Sequence, residues 1–195
     1  SWESTVTYYQ QINRGVKQRL GGLHSAKLVM VSVDFAEIEH LQRTGDWAAT
    51  AGILGSAAIA IERAGADCFL ICTNTMYKVA DEVQAAVSIP LLHIADVTAA
   101  ALQHAGVSKI GLLGTAFTME QAFYKERLQG RHGLKVLVPA APDREVIHRV
   151  IYEELCLGKI ADESRSEYRR IMTSLVDQGA EAIILGCTEI SLLVG

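Results

Sequence analysis

Short apolar runs alternate with longer amphipathic segments along nearly the whole chain. Six runs predict strands because each is a short apolar stretch next to glycine, proline or polar residues; they span residues 27–33, 68–72, 89–94, 109–113, 135–138 and 182–185. Apolar residues at helical spacing predict helices at 1–20, 35–43, 47–64, 75–86, 96–105, 118–129, 143–157 and 163–178. Strands that alternate with helices in this way indicate parallel sheets built from βαβ units. The predicted fold class is therefore α/β.

The two halves of the chain resemble each other. Gly65-Ala66-Asp67 and Gly179-Ala180-Glu181 each lead through an apolar strand into a threonine-containing exit. The first predicted helix resembles the one that begins near Thr118, yet only the second follows an apolar strand and a glycine loop. The repeat predicts two pseudo-symmetric α/β lobes with mainly parallel sheets and the active site in the cleft between them. We expect lobe one at 1–95, without its opening strand, and lobe two at 96–195, without its C-terminal part.

Composition restricts the partners of the chain more than its fold. The chain has 195 residues and a formal net charge of −4, with no cluster of Lys and Arg. We therefore expect no nucleic-acid partner and no membrane partner, and the apolar runs are too short to span a bilayer. No leader sequence precedes Ser1, and the four cysteines lack the spacing of a secreted scaffold, so the predicted location is the cytoplasm. The histidines show no metal-ligand spacing, and no metal is predicted.

One predicted strand end carries a reactive side chain. Cys187 follows the strand 182–185 at the edge where open α/β sheets bind ligands, and the dipole of a following helix would favour its thiolate form. When the two halves are aligned on their Gly-Ala-Asp and Gly-Ala-Glu motifs, Thr73 falls on Cys187 and Cys72 falls on Gly186. Because side chains alternate along a strand, Cys72 should point away from the face that carries Thr73. Thr73 and Cys187 are therefore the predicted pair.

Two motifs at the predicted strand ends are specific in combination. They are Thr73-Asn74-Thr75-Met76 and Gly186-Cys187-Thr188-Glu189, and the opening Ser1-Trp2-Glu3 and the loop Gly114-Thr115 accompany them. In these motifs the chain resembles the aspartate/glutamate racemase family over essentially its whole length. The resemblance implies a cofactor-independent racemase of two similar α/β lobes, with an amino-acid substrate (aspartate, glutamate or a broader set) held between them. The complete family fold returns the C-terminus to lobe one, and a homodimer is the assembly to test for.

The resemblance also implies a chemical mechanism. Members of the family use two cysteines, one in each lobe, on opposite faces of the substrate α-carbon. One thiolate removes the α-proton, and the other cysteine returns a proton to the opposite face. This chain has Thr73 where the family usually has a cysteine, and Tyr77 where it often has a histidine. Since a hydroxyl is a much poorer acid than a thiol, we expect Cys187 to be the principal base, opposed by Thr73, with unequal turnover of the two enantiomers.

Short polar residues around the catalytic pair are the predicted substrate contacts. Asn74, Thr75 and Thr188 lie at strand-to-helix turns, where side chains and backbone N–H groups can hold the α-carboxylate. The resemblance places further contacts at Ser1, Gln42 and Thr115. Gln42 has a simpler interpretation as a solvated helix residue. Glu189 either receives the ammonium group of the substrate or orients the neighbouring cysteine.

Two other functions fit the same residues. A malonate-type decarboxylase of related two-lobed architecture relies on one second-lobe cysteine, and Cys187 satisfies that pattern. A non-catalytic amino-acid-binding homologue is the third hypothesis, suggested by the missing opening strand. The exit Asn74-Thr75-Met76 and the helix that begins with Ser1-Trp2-Glu3 favour the racemase.

Overall fold

The computed structural model describes residues 2–194 except for the side chain of Glu3. The helices in this range are Trp2–Leu20 (α1), Phe35–Thr44 (α2), Trp47–Arg63 (α3), Ala80–Ala85 (α4), Ile94–His104 (α5), Ala116–Glu120 (α6), Ala122–Glu126 (α7), Ala141–Glu153 (α8), Asp162–Asp177 (α9) and Ile190–Val194 (α10). The strands are Lys109–Leu113 (β1), Lys135–Leu137 (β2) and Ala182–Leu185 (β3). Short 3₁₀ or π turns lie at Thr75–Val79, Arg127–Arg131 and Leu155–Leu157. Across the described range, no helix combines the length and the apolar character that a membrane span requires.

The three strands form one parallel sheet in the order β2-β1-β3. The central strand β1 is buried almost throughout, and its sequence is accordingly a nearly continuous apolar run. The exception within it is Gly111, where a Cβ atom would lie 2.6 Å from Cδ1 of Ile183 on β3 and 2.9 Å from Cδ1 of Leu175 on α9. The predicted α/β class is confirmed, as are the three strands predicted in the second half, with β2 one residue shorter than expected.

Helices cover both faces of this sheet because side chains alternate along each strand. On one face, Ile183 packs in a cluster with Ile171 of α9 and other buried residues of α8 and α10. On the opposite face, Ile184 packs in a cluster that contains Ala99 of α5. Cys187 lies with the first of these clusters, on the same side as Ile183. The cysteine thus has an apolar environment behind it.

Contacts within the chain divide it into two compact units. The first unit comprises the residues up to Cys72 together with Val79–Leu92, and the second comprises Thr73–Lys78 together with the chain from His93 onward. The sheet lies in the second unit. The division into lobes near residue 95 stays a prediction. It does not include the assignment of Thr73–Lys78 to the second unit.

The first unit contains helices but no sheet among its described residues. Phe69 and Leu91 form an isolated parallel bridge, and Phe69 packs in a cluster with Ala58 of α3. The two strands predicted around these residues, at 68–72 and 89–94, are therefore wrong as regular strands. Each is reduced to one bridging residue.

The strand predicted at 27–33 is also wrong. This segment has no regular secondary structure, and its apolar side chains are largely exposed, with Met30 at 63%. A strand requires a neighbouring backbone that supplies hydrogen bonds, and within the described residues no strand pairs with this segment. The apolar pattern was correct for a strand, but the pairing that makes one is absent from this part of the chain.

The helix predicted at 118–129 begins earlier than expected and is interrupted. Thr115 is its N-cap, because the Thr115 Oγ1 accepts a hydrogen bond from the Thr118 N–H at 3.4 Å. Gln121 adopts an extended conformation that separates α6 from α7. The cap at Thr115 has a consequence for the site, because it fixes the loop that follows β1.

Candidate active site

Two glycines follow neighbouring strands of the sheet and bring the next loops close together. Gly114 follows β1 and Gly186 follows β3. The Gly186 N–H donates to the carbonyl oxygen of Leu113, and a Cβ at Gly186 would lie 2.7 Å from that same oxygen. A larger residue therefore could not occupy this position without displacing the strand end. Cys187, which comes next, is held at the carboxyl edge of the sheet, where open α/β sheets bind ligands.

Asn74 connects the Thr73 segment to the same edge. Its Nδ2 donates to the carbonyl oxygen of Gly186 at 2.8 Å. One hydrogen bond thus joins the residue after Thr73 to the residue before Cys187. The structure brings the neighbourhoods of the two predicted catalytic residues together within the second unit, while their roles stay predictions.

The other amide atom of Asn74 is a buried acceptor. Among the described residues, its Oδ1 has no hydrogen-bond partner. Exchanging the amide oxygen and nitrogen would not solve this, because it would place an oxygen against the Gly186 carbonyl oxygen. A buried acceptor without a partner costs free energy. Asn74 Oδ1 is therefore suited to accept a hydrogen bond from a donor group of a bound molecule.

A cluster of three threonine hydroxyls lies beside these residues. The Oγ1 atom of Thr115 is 3.3 Å from that of Thr75 and 3.3 Å from that of Thr118, and all three residues are buried. A Cβ at Gly186 would approach Cγ2 of Thr118 to 3.2 Å, which places the cluster against the Gly186 turn. Two predicted substrate contacts, Thr75 and Thr115, are thus in direct contact with each other.

Cys187 forms a hydrogen-bonded pair with Glu189. The Cys187 Sγ donates to Oε2 of Glu189 at 3.0 Å, and the Thr188 Oγ1 donates to the same oxygen at 2.9 Å. Glu189 is only 7% exposed. A buried carboxylate is stabilised when it accepts hydrogen bonds, so both neighbours help to hold Glu189 in its charged form.

The surroundings of Cys187 act on the protonation state of its thiol. Burial raises the pKa of the Cys187 thiol well above its ordinary value, and the negative charge of Glu189 adds to this rise. Both effects oppose the expected thiolate, and the dipole of α10 is limited because this helix has five residues; the thiolate therefore stays a prediction. In the geometry described, burial and Glu189 favour the neutral thiol of Cys187 over its thiolate.

His148 is a residue of this region that the sequence did not indicate. It lies on α8, and its Nδ1 is 3.1 Å from the backbone nitrogen of Ala116, the residue after Thr115. Burial lowers the pKa of His148, while the Glu120 carboxylate opposes that effect. The two partners are 32 positions apart in the chain, and a single histidine on a helix has no pattern that predicts such a contact.

The remaining predicted site residues lie elsewhere or beyond the described range. Gln42 is on α2 in the first unit and is 6% exposed. The interpretation of Gln42 as a solvated helix residue is therefore wrong, and its role as a substrate contact stays a prediction. Ser1 lies outside the described residues. In the part of the chain that the structure describes, no group of three or more His, Cys, Asp or Glu side chains could hold a metal ion.

Comparisons with known proteins agree with this architecture. The model of the Asp/Glu/hydantoin racemase family matches residues 1–195. A solved structure of a candidate Asp/Glu racemase from Yersinia pestis is 56% identical with a TM-score of 0.94, and the match covers 100% of this chain and 85% of that one. An aspartate racemase homologue from Pyrococcus horikoshii OT3 is 34% identical with a TM-score of 0.84, over 100% of this chain and 84% of that one.

A curated relative matches over a shorter stretch. The broad specificity amino-acid racemase RacX of Bacillus subtilis (strain 168) is 26% identical over 144 residues. That stretch is 70% of this chain and 58% of RacX. The chain thus spans less than two thirds of the length of this relative.

Proposed function

The chain belongs to the Asp/Glu/hydantoin racemase family, and on that premise we propose that it is an isomerase, a cofactor-independent amino-acid racemase. In this proposal Cys187 and Thr73 act on opposite faces of the substrate α-carbon. The observation that carries it is the hydrogen bond from Asn74 to the Gly186 carbonyl, because this bond links the segments of both residues. The names of the relatives support an amino acid as substrate, and aspartate and glutamate are the first candidates.

The first proposed step is loss of the Cys187 proton. Glu189 Oε2 already accepts the hydrogen bond from the thiol, so it is the group that takes this proton. A substrate ammonium group close to Cys187 would favour the thiolate, since an opposite charge within about 4–6 Å stabilises the charged form. Substrate binding thus activates a thiol whose pKa is otherwise raised. The thiolate then removes the α-proton.

Glu189 also has a positioning role in this proposal. A single oxygen of its carboxylate, Oε2, accepts hydrogen bonds from both Cys187 and Thr188. This arrangement favours Glu189 as the residue that orients Cys187 rather than as the receiver of the ammonium group. Asn74 Oδ1, a buried acceptor, is the better candidate for the ammonium group. Thr75 and Thr115 supply hydroxyls for the carboxylate, while Thr188, whose hydroxyl donates to Glu189, is proposed to contact it through the backbone N–H. Gln42 and Ser1 stay as further proposed contacts.

The proton returns to the opposite face from Thr73. The Thr73 hydroxyl is a weak acid and becomes an alkoxide when it gives up its proton, so this half of the reaction is the slower one. Solvent then returns a proton to Thr73 and accepts the proton that Glu189 took from Cys187, which restores the starting state. The two enantiomers have equal free energy in water, and kcat/KM must therefore be equal in both directions. The two directions of the reaction are therefore expected to differ in kcat and in KM, though not in their ratio. They should also differ in the rate at which the α-proton exchanges without inversion.

Exchange in D₂O tests this proposal. L- and D-aspartate, L- and D-glutamate and a panel of neutral amino acids are incubated with the enzyme, and deuterium at Cα and inversion are followed separately. The enantiomer whose α-proton faces Cys187 should exchange faster than it inverts. Cys187→Ala should lower kcat/KM by about a hundredfold or more, the usual contribution of a general base. Release of CO₂ from a malonate, or thermal stabilisation by amino acids without exchange, would instead support the decarboxylase or the binding protein.

Thr73→Cys tests the second half of the mechanism. A thiol at this position should bring the rates of exchange and inversion closer together, because proton return would no longer be slow. Thr173→Cys, an exposed threonine on α9, is a matched control. An unchanged ratio of exchange to inversion in Thr73→Cys would count against Thr73 as the opposing group.

A further inference from the structure

The contact between His148 and Ala116 requires a neutral imidazole ring. The Ala116 N–H donates to Nδ1 of His148 over 3.1 Å. An imidazolium ion carries hydrogens on both nitrogens and cannot accept this bond. The acceptor role of Nδ1 therefore assigns the proton of the neutral ring to Nε2. Protonation of His148 would place a hydrogen on Nδ1, facing the hydrogen of the Ala116 N–H, and would break this bond.

This bond holds one side of the turn that carries Thr115. Ala116 is the first residue of α6, and its N–H is one of the donors that the helix itself leaves without a partner. Thr115 precedes it and meets Thr75 and Thr118 through its hydroxyl. His148 therefore fixes the peptide after Thr115, while the threonine cluster fixes its side chain. Loss of either contact would let Thr115 change its position.

The surroundings of the ring favour the neutral form. The ring centroid of Tyr152 is 4.9 Å away, and that of Phe117 is 6.3 Å away in an edge-on arrangement. Glu120 on α6 is the charged group that acts on the ring, and it is itself paired with Arg144 of α8 at 2.8 Å. Burial lowers the pKa of His148 more than Glu120 raises it. Among the described residues, Tyr152 is the other titratable group in ring contact with His148.

We propose that His148 is a positioning residue for substrate binding: its neutral ring holds the Thr115–Ala116 turn in place, and its protonation releases that turn. The proposal rests on the proposed function to the extent that Thr115 contacts the substrate. It goes beyond it by assigning a role to a residue outside the motifs. His148 acts through the turn, so its loss should raise KM and leave kcat nearly unchanged.

Three variants separate positioning from a merely structural role. His148→Ala removes the acceptor and should raise KM about threefold to tenfold near pH 8, the loss expected for one hydrogen bond. His148→Asn offers an amide oxygen that accepts at any pH, so it should keep KM low both near pH 8 and at the acidic pH where protonation of His148 raises the wild-type KM. His104→Asn, at an exposed position on α5, is the matched control and should behave as the wild type.

A measurement without turnover tests the hydrogen bond itself. In ¹⁵N-labelled wild-type protein, the amide shift of Ala116 should move as the pH is lowered through the pKa of His148, which burial holds below its ordinary value, and in His148→Asn it should not. An Ala116 shift that titrates equally in both proteins would overturn the proposal, and so would an unchanged KM in His148→Ala. The wild type could show no racemisation while the Ala116 amide shift still changes with the protonation of His148. That result would contradict the proposed function but support the proposed hydrogen bond between His148 and the turn.

Discussion

The two compact units have similar sequence plans but reach different structures. In the second unit, β1 lies between β2 and β3 and pairs with both. In the first unit, the corresponding apolar segments form one isolated bridge between Phe69 and Leu91, and the repeat assigns no counterpart of β1 to the described residues. Similar apolar patterns thus give a sheet in the second unit and a single bridge in the first. The comparison teaches that an apolar segment becomes a regular strand only where a neighbouring strand supplies backbone hydrogen bonds.

The largest expected difference between the units concerns a buried and an exposed leucine. Leu112 on β1 is 0% exposed, whereas Leu28 in the first unit is 44% exposed. Leu112→Ala should lower the free energy of unfolding by about 2–5 kcal/mol, because it removes packed side-chain volume from the core. Leu28→Ala should change it by about 0.5 kcal/mol or less. Urea denaturation followed by far-ultraviolet circular dichroism measures both. Equal losses would show that Leu28 is buried in solution.

A second comparison uses the repeat-equivalent positions Gly186 and Cys72. Gly186→Ala would place a Cβ 2.7 Å from the Leu113 carbonyl oxygen, so it should destabilise the protein by about 1–3 kcal/mol and displace Cys187. Cys72→Ala, at a half-buried position of the first unit, should cost less than about 1 kcal/mol. Deuterium exchange into the substrate together with urea denaturation checks both effects. Full activity in Gly186→Ala would contradict the role given to this glycine.

The smallest expected difference concerns one carboxylate in each unit. Hydrogen bonds from Arg127, and then from His132, lower the pKa of Asp96 in the second unit well below its ordinary value. Hydrogen bonds from Ser88 lower the pKa of Glu62 in the first unit.

The sign of the pH effect follows from the lowered pKa of Asp96. A folded-state pKa below the unfolded value, about 4, gives stability that is fully present above that value and is lost as the pH falls toward the folded-state pKa. Asp96→Asn should therefore remove part of the stability at neutral pH, about 1 kcal/mol after allowance for solvent screening, and should flatten the acid limb of the stability curve. Glu62→Gln should have a smaller effect because Glu62 is solvated. Urea denaturation midpoints of the wild type and both variants, measured from neutral to acidic pH, test these expectations. If the stability of Asp96→Asn fell with acid as steeply as that of the wild type, the role given to Asp96 would be contradicted.

Much of the second unit could be predicted because its signals are local. The apolar run of β1 and the glycines at the strand ends are visible in the sequence, and so is the position of Cys187 after β3. The buried state of Gln42 and the contact from His148 to Ala116 could not be predicted, since both depend on residues far apart in the chain. The rise in the pKa of the Cys187 thiol could not be predicted either, because its largest cause is burial by the folded chain, although the second cause, Glu189, is only two positions away in the sequence.

The sequence by itself determined the α/β class, the strands of the second unit and the residue types available for acid–base chemistry, because periodicity and motif spacing are properties of neighbouring residues. Only the tertiary structure decided which apolar segments pair, where Thr73–Lys78 packs, and that burial beside Glu189 raises the pKa of the Cys187 thiol. Hydrogen-bond pairing and desolvation depend on what surrounds a residue in space. Those surroundings exist only after the chain has folded.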